Sequence, residues 1–107
     1  MITEDKLGKA LTYLAETDET CAKAKSLMKG LEYRLKTNKA IAFLDAEGAQ
    51  GVRENIAYQD TRFTDTVGRY ENAVADYETM ANKRKTAELI VEVWRSVNSA
   101  RSRGIIT

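Results

Sequence analysis

From Phe63 onward, apolar side chains recur at Phe63, Val67, Tyr70, Val74, Tyr77 and Ala81, spaced 4-3-4-3-4. That alternation is the seam of a helix packed lengthwise on another. Beyond Ala81 the same register brings in Arg84 and Glu88, while Ala87, Ile90, Val91, Trp94 and Val97 make a second apolar face rotated from the first. The pattern predicts a helix over 52–101 whose partner surface changes near 81–87. A kink is expected at Gln59-Asp60-Thr61 or at Gly68, where glycine costs about 1 kcal/mol relative to alanine.

The first half carries helix start signals twice. Thr3 precedes Glu4 and Asp5, acids suited to the positive end of a helix, and Leu7, Leu11 and Leu14 follow at helical spacing. This predicts a short helix over 4–15. Thr17-Asp18-Glu19 repeats the signal, predicting a break and a second helix over 18–47. Without a cap at Thr17 the two segments merge into one helix of about 44 residues ending at Gly48. Gly48-Ala49-Gln50-Gly51 supplies the freedom a reversal needs, and no proline interrupts the chain.

The fold class that follows is all-α: a long antiparallel, coiled-coil-like hairpin with a short N-terminal helix, in one domain spanning 1–107. A helix of about 50 residues is roughly 75 Å long at 1.5 Å per residue, so one partner helix gives it only a thin core. The chain is therefore expected to pair into a homodimeric bundle, with Phe63, Val67, Tyr70, Val74, Tyr77, Ala81 and Trp94 in the seam. Trp94 is expected to sit near Leu7 and Leu11. Ile105 and Ile106, after the stop signal Gly104, are either a loose tail or a small apolar hook.

Charge divides the chain unevenly. Residues 83–107 hold Lys83, Arg84, Lys85, Arg95, Arg101 and Arg103 against Glu88 and Glu92, whereas the chain as a whole has a formal charge of +1. Arginines interleaved with small polar residues can approach phosphates closely, which makes these six cations the candidate nucleic-acid or partner contacts. The competing reading is a helix end whose cations suit the dipole. A second basic stretch runs Lys23, Lys25, Lys29, Arg34, Lys36 and Lys39 against Glu32 alone. The hairpin would set it opposite Asp60, Asp65, Glu71 and Asp76, so ion pairing across the hairpin is expected to absorb much of it.

Catalytic parts are scarce. The chain has no histidine and a single cysteine, Cys21, which reads as a core thiol. No acid cluster suggests a metal, and neither Gly48 nor Gly51 opens a phosphate loop. No enzyme, cofactor or small-molecule substrate is expected. The absence of a long apolar run and of a signal sequence predicts a cytoplasmic protein.

The stretch from Tyr70 through Tyr77-Glu78, then Lys83-Arg84-Lys85-Thr86-Ala87-Glu88-Leu89 and Val93-Trp94-Arg95-Ser96, resembles small helical proteins of unknown function encoded in bacteriophage and prophage genomes. The resemblance covers about the last 40 residues and implies a source and a fold type, but no site. Three functions remain open. The first is a module that binds and modulates a protein partner, and the second an accessory protein contacting nucleic-acid phosphates through its arginine-rich end. The third is an assembly element.

Overall fold

In a computed structural model, which describes residues 2–104, the chain is an all-α helical hairpin. Helix α1 spans Glu4–Asp45, α2 spans Gln50–Gln59 and α3 spans Thr61–Ser102. Ile105 and Ile106, the candidate hook, lie outside the described residues. Two compact units are present: Met1–Ala22 with Glu78–Thr107, and Lys23–Tyr77.

Of the two readings of the first half, the merged one holds. Helix α1 starts with the Lys6 amide donating to Thr3 Oγ1 at 3.2 Å, so Thr3 caps it. Thr17 caps nothing. Its hydroxyl donates back to Tyr13 O at 2.6 Å, the fold-back typical of a threonine inside a helix, and the backbone continues through Asp18 and Glu19.

In the unit Lys23–Tyr77, α1 and α3 run antiparallel, as the contacts Asp45–Arg62 and Asn38–Thr66 require. The covered row on α1 is Ala24, Met28, Leu31, Leu35, Asn38 and Ala42, alternating four and three residues apart. On α3 every expected seam residue from Phe63 to Tyr77 is half-buried, but the fully covered positions are Thr66 and Ala73, one residue earlier than Val67 and Val74. The stripe is centred on small side chains. A buried methyl contributes about 0.8 kcal/mol, against roughly 1.5–3 for a buried leucine, so such a seam is a thin source of stability.

Polar contacts fix this unit's geometry. Helix α1 has no cation in its last turn. Arg53 from α2 supplies one: its Nε donates to Phe43 O at 3.2 Å, which also accepts from the Ala46 amide at 3.3 Å, while its guanidinium lies 4.4 Å from the Phe43 ring centroid. The turn itself rests on Gly48, whose φ of +117° is open to glycine and strained for other residues. Gly51 lies inside α2.

The expected kink falls at Asp60, and α3 runs unbroken through Gly68. Asp60 ends α2 in an extended conformation and caps α3, its Oδ1 accepting from the Arg62 amide at 2.8 Å. The Arg62 guanidinium then grips the same carboxylate with two donors, at 3.0 and 2.9 Å, and reaches Asp45 Oδ2 at 2.8 Å. These bonds hold the Asp60 carboxyl below its usual range, the side-chain bond from Arg62 being the largest cause.

In the unit formed by Met1–Ala22 and Glu78–Thr107, α1 and α3 are again antiparallel. Leu7, Ala10, Leu14, Thr17 and Cys21 make the covered row of α1, and Met80, Arg84, Ala87, Val91 and Trp94 that of α3. The covered residues beyond Ala81 include Ala87, Ile90, Val91, Trp94 and Val97, the expected second face, while Glu88 stays exposed and Arg84 packs in the seam with them. Leu11 points to solvent. The Gly104 amide donates to Arg101 O at 3.0 Å with φ +73°, ending α3 at the residue the sequence marks as its stop.

Candidate functional site

The six C-terminal cations do not share a face. Arg84 turns inward, its side chain only 17% exposed. One terminal nitrogen donates to Leu14 O and to Thr17 Oγ1, both at 2.8 Å, and the other to Asp18 Oδ1 at 3.1 Å. Leu14 O lies mid-helix and offers Arg84 its second lone pair. This arginine ties α3 to α1. Lys83 and Lys85 flank it on opposite sides of α3 and are exposed, as are Arg95 and Arg103.

Arg101 borders a cleft of about 600 Å³ at the open end of this unit, together with Ile2, Lys6, Trp94, Val97 and Asn98. Trp94 is half-buried in its wall. Ile2, Thr3, Glu4 and Lys6 line the same cleft, and of the two leucines expected near Trp94, Leu7 lies in the covered row of α1 while Leu11 is exposed.

The basic stretch of α1 is laid out differently from the sequence expectation. Asp60, expected opposite it, is engaged by Arg62. Lys39 donates to Tyr58 Oη at 2.6 Å and lies 3.8 Å from that ring's centroid. Lys25, Lys29, Arg34 and Lys36 are exposed, and their side chains form no ion pair or hydrogen bond among the described residues. Ion pairing across the hairpin therefore leaves these four cations untouched.

Two exposed faces of α1 emerge in the unit Lys23–Tyr77. Lys25, Lys29, Tyr33 and Lys36 stand at i, i+4, i+8 and i+11, one straight row on a helix surface. Leu27, Arg34 and Ile41 recur every seven residues and continue to Leu44, roughly a third of a turn away at 3.6 residues per turn. Between Leu27 and Arg34 the missing side chain of Gly30 opens a shallow groove of about 370 Å³ floored by Leu31. A Cβ added at Gly30 meets nothing within 4 Å. The sequence reading followed neither row, because the first was assigned to cross-hairpin pairing and the second requires knowing which face of α1 the seam covers.

No helix among the described residues is long and apolar enough to cross a membrane. No protein-family model, no curated protein and no solved structure matches the chain.

Proposed function

We propose that this chain is a non-catalytic helical interaction protein, of the phage-encoded kind its C-terminal part resembles, which works by docking helices: it pairs with a second copy of itself and binds and modulates a protein partner. The observation that carries this reading is the row Leu27, Ile41 and Leu44, exposed by 58%, 41% and 71% on the face of α1 that lies outside the seam. Single exposed leucines are ordinary on a protein surface; a row in helical register is a docking face. The groove over Gly30 gives a facing helix a hole for one of its side chains, as in knobs-into-holes packing. A thin alanine seam adds a thermodynamic reason, since pairing would bury apolar area that the hairpin leaves in water.

Light scattering on a sizing column, followed across dilution, tests the self-pairing. The expected result is a dimer that Leu27→Glu combined with Leu44→Glu converts to a monomer with unchanged helix content. A wild-type chain that stays monomeric up to high micromolar concentration would remove self-pairing from this reading. A dimer unaffected by the two substitutions would move the interface to another face.

A further inference from the structure

We infer that the row Lys25, Lys29, Tyr33 and Lys36 on α1 is a binding site for single-stranded nucleic acid, with the lysines on phosphates and the tyrosine ring on a base. Three observations converge on it. The three ammonium groups are exposed and have no ion pair or hydrogen bond among the described residues. The tyrosine standing among them is 75% exposed, more than any other large apolar or aromatic side chain among the described residues. All four belong to one rigid helix, where i, i+4 neighbours hold their Cβ atoms about 5–6 Å apart over a row about 16 Å long.

The chemistry selects the ligand. Lysine is a compact charge on a flexible stem, which suits the phosphate of a mobile strand and does not demand the planar geometry an arginine fork imposes. A tyrosine left bare in water beside cations is the partner that an unstacked base requires, and such stacking tolerates any sequence. A duplex hides its base faces and would leave Tyr33 idle. An anionic lipid surface would attract the same lysines but offers Tyr33 no base to stack on, and vesicles in the test below separate that outcome. Glu32 borders the row and is the one carboxylate between Lys23 and Lys39. The site is distinct from the arginine-rich end and from the leucine face a third of a turn away.

The test is fluorescence anisotropy with a labelled oligothymidylate. Three phosphate contacts to a single strand give a slope of about −2 in log affinity against log salt, so binding should weaken about 18-fold between 50 and 200 mM salt. Lys25→Gln with Lys29→Gln and Lys36→Gln should abolish binding with helix content unchanged by circular dichroism, because glutamine and lysine have similar helix propensities. Tyr33→Ala should weaken binding roughly five- to hundred-fold with the salt slope preserved. Arg101→Gln with Arg103→Gln should bind like wild type.

Four results would overturn the inference: no binding at 50 mM salt, undiminished binding by the lysine variant, unchanged affinity after Tyr33→Ala, or loss through the Arg101 and Arg103 pair instead. Equal or tighter binding to a duplex of the same length, or to phosphatidylserine vesicles, would likewise overturn it and assign the lysines to a different surface.

Discussion

Asn38 Nδ2 donates to Thr66 Oγ1 at 2.9 Å, and that hydroxyl in turn donates to Arg62 O at 2.7 Å, so a polar chain crosses a seam whose fully covered members are otherwise alanine and leucine. The same amide also approaches Arg62 O at 3.3 Å. A heptad seam lined with small residues slides at little cost, and one polar pair that is satisfied only in a single alignment is the device that stops it. Arg84 on Leu14 O and Thr17 is the corresponding device in the unit that contains the chain's two ends.

The first prediction concerns that pair. Thr66 is almost wholly covered, so removing its hydroxyl strands the Asn38 amide against a poorer acceptor. A double-mutant cycle of Asn38→Ala and Thr66→Val, read by urea unfolding, should give a coupling of about 0.5–1.5 kcal/mol. Strictly additive single effects would mean the bond fixes nothing.

Much of this architecture was legible in the chain, and the reasons for the misses are physical. The hairpin, the reversal at Gly48, the kink at Asp60 and the stop at Gly104 follow from glycine, capping and apolar spacing that act locally. The row Leu7, Ala10, Leu14, Thr17, Cys21, Ala24, Met28, Leu31, Leu35, Asn38 and Ala42 keeps its 3-4 alternation without a lapse. It was hidden because Thr17 and Asn38 are polar and Leu11 offered a more apolar start. Polarity misleads where the seam carries a bonded pair, as at Thr66, and small size does so at Ala73; the larger Val67 and Val74 beside them are only half-buried. Arg84 could be placed in the seam by register, but its acceptor, a backbone carbonyl 70 residues away, has no signature in side-chain types.

Arg84 supplies the second prediction. Its partners are a helix carbonyl and a hydroxyl inside the unit plus an Asp18 side chain that is 82% exposed. Arg84→Met should therefore cost about 1.5–3 kcal/mol, the range for hydrogen bonds to a charged group. Asp18→Asn should cost under about 0.5 kcal/mol, since exposed ion pairs contribute little. Thermal unfolding of both variants at two salt concentrations checks the ranking, and equal losses from the two would place the energy in the surface pair.

Asp60 gives the third. Its folded pKa lies below the ordinary value of 3.8, so the unfolded chain binds the proton more readily than the folded one. The sign is fixed: the contribution is complete above the ordinary carboxylate range and is lost as pH falls through the lowered folded value. Unfolding midpoints measured downward from pH 5 should show an acid-induced loss that Asp60→Asn reduces. A variant with the same acid limb as wild type would assign that limb to other carboxylates.

The helical glycines provide the fourth prediction and separate intrachain packing from docking. Cβ atoms added at Gly8, Gly30 and Gly68 meet nothing within 4 Å, whereas at Gly48 the added atom lies 3.4 Å from Val52 Cγ1 in a backbone of φ +117°. Replacing Gly8, Gly30 or Gly68 by alanine should stabilise the hairpin by about 0.8–1 kcal/mol in each case through helix propensity. Gly48→Ala should destabilise it, because the left-handed conformation is strained for alanine. Gly30→Ala carries a second consequence that Gly8→Ala and Gly68→Ala do not. If a facing helix seats a side chain between Leu27 and Arg34, the new methyl fills that hole, and self-association should weaken in the same protein whose unfolding midpoint rises. Sedimentation of the three variants beside urea unfolding reads both quantities, and a Gly30→Ala chain that gains stability without losing affinity for itself would take the docking face away from this stretch of α1.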